Sequence, residues 1–204
     1  LRAGLAHAAA PPAVDTAAAA ARSVVTPAAT AATAPAAAAG GSLSAVFTPE
    51  VQQWAADILR WAAAYQLDPN LIATLMQVES CGDPQAHSGA GAQGLFQVMP
   101  HHFSRGENMW DPDTNARRGL AYFNRGLRVH QGDVFRSFAG YNAGHATAAQ
   151  PWATWPRETQ QFHYWTSGIY VAARAGQAHS DVLQAWLRAG GADLCRQAAD
   201  RLGW

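Results

Sequence analysis

The sequence predicts an all-α fold in which short helices pack around a cleft. After residue 48, apolar residues recur at steps of three and four in successive segments, which is the spacing of one helix face. Asp, Ser and Pro residues stand where several of these segments begin, as they do at helix N-termini. No convincing alternation of polar and apolar residues predicts a strand.

The composition bounds the number of domains and the kind of partner. The 204 residues fit one domain plus accessory segments, and 49% hydrophobic residues suffice for a buried core. With 14 basic and 14 acidic side chains, nothing predicts attraction to nucleic acid or to an anionic membrane. No apolar run approaches the roughly 18 to 20 residues of a spanning helix. We expect a monomer without a membrane-spanning segment.

Residues 1–47 are rich in Ala and are interrupted by prolines. Their few larger apolar residues follow no helical or strand period, so we expect a disordered linker or tail. The stretch LAHAAA at residues 5–10 has two interpretations, the end of a secretory signal with its cleavage site or the start of an Ala-rich tract. An ordered domain is expected over residues 48–178.

Two helices are predicted to open this domain. Thr48 is a candidate cap before Pro49, and one continuous helix is predicted from the apolar positions Val51, Trp54, Ile58, Trp61 and Tyr65. Asp68 is a candidate cap for the next helix, whose inward stripe is Ile72, Leu75, Met76 and Glu79. Gly82 offers a left-handed stop, and Gly and Ser in residues 82–94 predict a loop.

Further helices are predicted towards the C-terminus. They run from Asp111 to about His130, from Asp133 to Tyr141, from Pro156 to about Ala173, after Ser180, and from Leu194 to Leu202. We expect residues 179–204 to be an accessory helical extension packed on the domain. Its tryptophans, Trp186 and Trp204, are interpreted as packing residues.

Glu79 is the acidic residue whose position most suggests chemistry. It shares its helix face with apolar residues, so burial should disfavour the charged carboxylate. It also lies in the last helical turn, where the negative end of the helix dipole disfavours a carboxylate. Both effects raise the pKa, as a general acid working near neutral pH requires. The alternative is a structural glutamate that leaves the face and pairs with an arginine.

Five motifs occur in a fixed order along the chain. They are ES at Glu79 and Ser80, SGAGAQGLFQVMP at residues 88–100, DPDTNARRGLAYF at residues 111–123, AGYNAG at residues 139–144, and PRETQQF at residues 156–162. Together they resemble the lytic transglycosylases of the soluble (SLT) type, similar to glycoside hydrolase family 23 in the lysozyme-like superfamily. The resemblance covers about residues 48–173 and implies a lysozyme-like helical domain with a glycan cleft.

This resemblance implies an activity on peptidoglycan glycan strands. The β-1,4 bond between N-acetylmuramic acid and N-acetylglucosamine would be cleaved to give a 1,6-anhydromuramic acid product. Glu79 would be the single catalytic residue, first protonating the leaving oxygen and then taking the proton of the C6 hydroxyl. Ordinary glycosidases need a second carboxylate, whose place the substrate's N-acetyl group would take. The resemblance implies no cofactor and a secreted or cell-envelope location.

The resemblance also assigns positions that line the glycan cleft. These substrate-binding candidates are Ser88, Gln97, Met99, Tyr141 and Asn142. Tyr141 is expected to hydrogen-bond the Glu79 carboxyl, and the Gln97 amide can both donate to and accept from sugar groups. Glu158 matches a family position near the cleft, where it either orients its neighbours or merely favours a helix start.

Other polar residues have structural interpretations. Asp83, between Gly82 and a proline, is interpreted as a turn residue, and Asp111 and Asp113 as helix caps. The adjacent residues His101 and His102 cannot direct both rings at one metal from a regular helix, so no metal site is predicted.

The two cysteines, Cys81 and Cys195, allow one disulfide. In an exported protein the bond would tie the C-terminal helix behind the catalytic one, whereas in a cytosolic protein both would be buried thiols. An activity outside the membrane favours the disulfide.

Two alternatives to the transglycosylase stay open. A hydrolytic muramidase similar to goose-type lysozymes would share the fold and substrate but release a reducing-end sugar. A glycan-binding module with an inactive site belongs to another class. The presence of Glu79 and of the YNAG motif at residues 141–144 argues against that module.

Overall fold

The structure is a computed structural model that describes residues 42–203. Over these residues the α-helices are α1 (Pro49–Gln52), α2 (Ala55–Tyr65), α3 (Pro69–Glu79), α4 (Pro112–Val129), α5 (Val134–Ala143), α6 (His145–Ala148), α7 (Arg157–Arg174), α8 (Asp181–Trp186) and α9 (Ala192–Leu202). Short 3₁₀ helices lie at Pro100–His102 and Trp152–Thr154. No strand forms in the described part, and the all-α prediction is confirmed. Of the tail predicted over residues 1–47, residues 1–41 lie outside the described residues, and these include the LAHAAA stretch.

The segment just before Thr48, residues 44–47, packs against the core. Val46 and Phe47, which the sequence places in the tail, are buried at 7% and 4% exposure. The Ser44 amide donates to the side-chain oxygen of Asn70 at 2.8 Å, which fastens the segment to the start of α3. Two adjacent apolar residues are too few to show a period, so the sequence pattern does not reveal this packing.

Side-chain caps begin four of the helices. The backbone amides of Asn70, Thr114, Arg136 and Leu183 donate to Asp68, Asp111, Asp133 and Ser180, respectively. Such caps satisfy amides that have no partner inside the helix. The cap predicted at Thr48 is wrong, because its side chain accepts no amide bond and contacts the Cys81 sulfur at 3.3 Å instead.

The continuous helix predicted from Pro49 to Tyr65 is wrong, because the chain breaks between α1 and α2. Trp54 at the break has ψ 10°, and its indole N–H donates to the Gly82 carbonyl at 2.9 Å. The ring stacks on Trp61 with centroids 6.4 Å apart. The break therefore occurs where Trp54 packs against the turn after α3. The spacing of apolar residues does not reveal this contact.

Helix α3 lies at the centre of the core. Every residue from Leu71 to Glu79 is buried, and α1, α2 and α7 pack around the helix. Polar side chains on so buried a helix need internal partners. Thr74 donates to the Asn70 carbonyl, and Gln77 accepts the Thr48 amide.

A sharp turn joins α8 to α9. It includes Gly190, whose φ of 119° suits only glycine, and Gly191, which packs directly on the buried Trp186 ring. Helix α8 packs on α7, and α9 packs on α1. Trp186 is thus a packing residue as predicted, whereas Trp204 lies outside the described residues. Between residues 42 and 203 no helix is long and apolar enough to cross a bilayer.

Candidate active site

Glu79 is the last residue of α3 and is 6% exposed. Its Oε2 atom is buried and has no hydrogen-bond partner among the described residues. The chain then turns sharply through Cys81 (φ 51°) and Gly82 (φ 85°). A Cβ at Gly82 would lie 2.8 Å from the Glu50 carbonyl oxygen, so the turn requires glycine. Among residues 42–203 no arginine forms an ion pair with Glu79, contrary to the alternative of a structural glutamate.

Burial raises the pKa of the Glu79 carboxyl well above its ordinary value, and the nearby negative charge of Glu158 raises it further. Both effects favour the neutral acid, because a carboxylate loses solvation inside the protein and is repelled by a like charge. Glu79 can therefore hold a proton under conditions where an exposed glutamate would have lost it.

Glu79 faces a pocket of about 90 Å³. Its lining comes from the end of α3, the following loop and α9, namely Glu79, Ser80, Asp83, Gln85, Ala86, His87, Ser88, Gln97, Leu194, Gln197 and Arg201. Of the residues predicted for the site, Ser88 and Gln97 line this pocket together with Glu79. Met99, Tyr141, Asn142 and Glu158 are not part of its lining.

The loop over residues 80–99 is braced by its own side chains. The Ser80 hydroxyl donates to the Leu95 carbonyl at 2.7 Å and accepts the Gly82 amide. The Gln97 amide donates to the carbonyls of Ala86 and Gly94 at 3.1 and 3.0 Å. These bonds use the Gln97 donors, so its side-chain oxygen is the atom left for a ligand.

Asn115 in α4 is a positioning residue that the sequence did not single out. Its side-chain oxygen accepts the Phe96 amide at 2.9 Å, and its amide nitrogen donates to the carbonyls of Gln93 and Met109. The residue is fully buried and packs against Gly94. Asn115 belongs to the DPDTN motif, one of the segments that resemble the family. That membership was the sequence signal that could have identified it as a positioning residue.

Tyr141 does not hydrogen-bond Glu79, which corrects the expected contact. Its hydroxyl donates to the Phe96 carbonyl at 2.8 Å, and the ring is fully buried against Gly119. Burial raises the Tyr141 pKa well above its usual value, and the charge of Glu79 adds to this shift. Tyr141 therefore lies near the acid but braces the loop beside it.

Asn142 lies where α5 approaches α7. The Asn142 side-chain oxygen accepts the Thr159 hydroxyl at 2.8 Å, while its buried amide nitrogen has no partner among the described residues. Glu158 is exposed in the first turn of α7. Met99 is half-buried just before the turn at Pro100.

Asp83 is a second carboxyl group in the pocket with Glu79. Its Oδ1 accepts the Gln85 amide at 2.8 Å, which agrees with the turn interpretation. It is nevertheless only 4% exposed, and burial raises its pKa, although the Gln85 amide and Arg201 oppose the shift. The sequence did not predict that this carboxyl would face the same pocket as the acid.

A disulfide joins Cys81 to Cys195, as expected if the protein is exported. The bond attaches α9 to the turn two residues after Glu79. Leu194, Gln197 and Arg201 then line the pocket, so α9 lies beside the acid and the expectation that it packs behind α3 is wrong. Proximity of Cys81 to Glu79 in sequence was the signal for this placement.

One set of potential metal ligands lies near the disulfide in the described part of the chain. The Glu50 carboxylate is within reach of both Cys81 and Cys195 sulfurs, but these are bonded to each other and are not thiolates. The rings of His101 and His102 are tilted at 43° to each other, with centroids 4.2 Å apart.

Known proteins resemble the region that carries this pocket. The family model described as the transglycosylase SLT domain matches residues 57–163. A transglycosylase of Enterobacteria phage PRD1 is 40% identical over 94 residues, which cover 45% of this chain and 35% of the relative. The membrane-bound lytic murein transglycosylase C of Histophilus somni (strain 2336) is 31% identical over 113 residues, 46% of this chain and 31% of the relative. The chain thus spans about a third of the length of these relatives.

A solved structure gives a further likeness. An inactive mutant of the lytic transglycosylase Slt from Pseudomonas aeruginosa has a TM-score of 0.44 and 21% identity, covering 72% of this chain and 24% of that one. The family match itself takes in slightly more than half of the 204 residues, including Glu79 and the loop that follows it. The chain therefore belongs to the transglycosylase SLT domain family, as its motifs predict.

Proposed function

We propose that this protein is a peptidoglycan lytic transglycosylase that cleaves the β-1,4 bond after N-acetylmuramic acid and releases a 1,6-anhydromuramic acid product. Membership of the SLT family supports the reaction class, and the names of the relatives, one of them a murein transglycosylase, support the substrate. The observation that carries the proposal is Glu79, a buried carboxyl with an unpartnered oxygen that faces a pocket.

Glu79 acts first as an acid and then as a base. Its proton passes to the glycosidic oxygen as the bond from that oxygen to C1 of the muramic acid breaks. The substrate's N-acetyl oxygen stabilises the positive charge on C1. The Glu79 carboxylate then removes the proton of the C6 hydroxyl, O6 bonds to C1, and the acid is restored without consuming water.

The other predicted residues have binding or orienting roles in this proposal. Ser88 and Gln97 contact a sugar substituent, which their position in the lining of the Glu79 pocket supports. Met99 and Asn142 bind the glycan beyond that pocket. Tyr141 contributes by holding the Phe96 carbonyl and thereby the loop. Glu158 keeps the acid protonated through its charge.

The substrate also suggests where the protein works and how it is divided. We propose a secreted or cell-envelope location, because peptidoglycan lies outside the cytoplasmic membrane, and the disulfide fits an oxidising compartment. Residues 48–178 would form the catalytic domain and residues 179–204 its extension. We expect a monomer that needs no cofactor.

Asp83 supports a second candidate, a hydrolytic muramidase. An inverting glycosidase uses one carboxylic acid and one carboxylate that activates water. Asp83 faces the same pocket as Glu79, so it could serve as that base. Burial raises the pKa of Asp83, and its bond to the Gln85 amide opposes this shift by favouring the charged form that a base requires. The two candidates differ in whether water enters the product.

Digestion of purified peptidoglycan in H₂¹⁸O, followed by mass spectrometry of the muropeptides, tests the proposal. We expect anhydro-muropeptides without heavy oxygen from the wild type. Products that are heavier by one labelled water would assign the muramidase, and Asp83→Asn would then abolish their release. If neither kind of product is released, both enzyme assignments are rejected and a glycan-binding module is favoured.

The raised pKa of Glu79 predicts the pH dependence of the reaction. The rate kcat/KM should fall as pH rises through this pKa, because the enzyme then loses the proton that it donates. Initial rates on soluble glycan strands between roughly pH 4 and 9 measure this decline in kcat/KM. Circular dichroism at each pH is the control for unfolding. A rate that stays constant from acid to alkaline pH would contradict the assignment of Glu79.

A further inference from the structure

Helix α9 supplies one side of the pocket although it lies outside the region that defines the family. The family match ends at residue 163, whereas α9 spans Ala192–Leu202. Leu194, Gln197 and Arg201 are spaced by three and four residues, so they share one helix face, and all three line the Glu79 pocket. The disulfide at Cys195 holds this face beside the acid.

The pocket is too small to enclose a disaccharide. At about 90 Å³, it is well below the range of about 300 to 1,000 Å³ that encloses a typical small-molecule ligand. A glycan whose scissile bond reaches Glu79 must therefore extend past the pocket rim. The exposed residues that line the pocket are Gln85, His87, Gln197 and Arg201, and the last two, from α9, are therefore among those that the sugar substituents would meet.

Arg201 has the chemistry of an anion-binding residue. Its Nη1 atom donates to the neutral Gln85 side chain at 2.6 Å, which leaves other guanidinium donors available. Within residues 42–203 the arginines that form ion pairs are Arg60, Arg117, Arg118, Arg136, Arg174 and Arg196, and Arg201 is not among them. Its bond to Gln85 also fixes the side chain at the rim.

The proposed substrate carries anions on only one of its two sugars. N-acetylglucosamine is neutral, whereas N-acetylmuramic acid carries a lactyl group that ends in a carboxylate or continues into a peptide with carboxylates of its own. We propose that Arg201 binds a carboxylate on this muramic acid arm, which makes α9 a specificity element of the active site. The inference rests on the proposed function, because it takes peptidoglycan as the substrate.

Three sets of glycan strands separate the possible sources of that carboxylate. The first set keeps its peptides, so the lactyl carboxyl is bound in an amide and only peptide carboxylates are present. The second is stripped of peptides by an amidase, so only the lactyl carboxylate is present. The third is stripped and then methyl-esterified, so it is neutral. Initial rates on each set are measured for the wild type, Arg201→Gln and Arg201→Lys.

We expect Arg201→Gln to lower kcat/KM about tenfold on an anionic set, mainly through KM, because a hydrogen bond to a charged group contributes that much. Loss on the first set assigns a peptide carboxylate, and loss on the second assigns the lactyl carboxylate. Rates on the neutral set should be unchanged, and Arg201→Lys should recover part of the loss. Equal losses on all three sets, or no loss on either anionic set, would overturn the proposal.

Arg196→Gln is the matched control. Arg196 is also exposed on α9, but it pairs with Asp193 and does not line the Glu79 pocket, so its removal should leave all three rates unchanged. Equilibrium binding of the same strands in a Glu79→Gln background separates this proposal from the proposed function. If the wild-type protein shows no turnover, the proposed function is rejected. If the binding affinity changes neither with the Arg201 substitutions nor with the carboxylates on the strands, the role of Arg201 is rejected.

Discussion

Glu79→Gln should lower the release of muropeptides by about a thousandfold or more, which is the largest effect that we expect from a single substitution. The amide has nearly the shape of the carboxylic acid but can neither donate the proton to the leaving oxygen nor accept one from the C6 hydroxyl. Glu79 performs both transfers in the proposed reaction, so its replacement should stop both. Initial rates on soluble glycan strands measure the loss, and binding of the same strands should persist.

Glu50→Gln is the control for removing a glutamate near this turn. Its carboxylate lies 4.0 Å from the Cys81 sulfur and does not line the pocket, so the rate should stay within about twofold of the wild type. Retention of more than a tenth of the rate in Glu79→Gln would refute its role as acid and base. Asp83→Asn would then be the next variant to measure.

Removing the disulfide should give the largest loss of stability. The bond joins residues separated by 114 positions, and restricting so long a loop in the unfolded chain stabilises the fold by roughly 4 to 5 kcal/mol in the chain-entropy model. The double variant Cys81→Ser with Cys195→Ser should therefore lower the free energy of unfolding by about this amount. Urea unfolding followed by circular dichroism measures the difference from the oxidised wild type.

The reduced wild type is the matched control for the double variant, because it lacks the bond but keeps both sulfur atoms. The two proteins should unfold at similar urea concentrations if the cross-link itself causes the loss. A double variant within about 1 kcal/mol of the oxidised wild type would contradict the prediction. Activity should fall in both proteins, because α9 would no longer be fixed beside Glu79.

Much of the helical frame could be predicted from the sequence because its signals are local. A cap such as Asp68 acts on an amide two residues away, and the stripe that ends at Glu79 is visible as apolar spacing. The buried acid follows from the same stripe. Interactions between neighbours along the chain leave a pattern, and this pattern predicted most of the helix starts.

The errors concern contacts between distant segments. Trp54 lies at the break between α1 and α2, where it contacts Gly82, 28 residues away. Tyr141 bonds to Phe96, 45 residues away, so its expected contact with Glu79 was wrong. Neither partner could be chosen from spacing alone, because several acceptors compete for each donor in the folded chain.

The composition of the pocket also depends on contacts between distant segments, which the sequence pattern does not predict. Asp83 was correctly assigned to a turn, but which way a turn residue faces depends on elements that arrive later in the chain. For Asp83 that element is α9, which completes the pocket from about 110 residues further on. The disulfide was the one signal that linked the two regions, and it could not show on which side of α3 the helix would lie.

The loop over residues 80–99 also bears on protein engineering. Gly94 (φ 73°) and Gln97 (φ 45°) hold left-handed backbone there, and the loop is pinned by Asn115 from α4 and Tyr141 from α5. A graft of this segment into another scaffold would leave behind the hydrogen bonds that set its shape. The smallest portable unit is therefore the loop together with α3, α4 and α5, and a design that moves only the motif should yield a loop of altered shape.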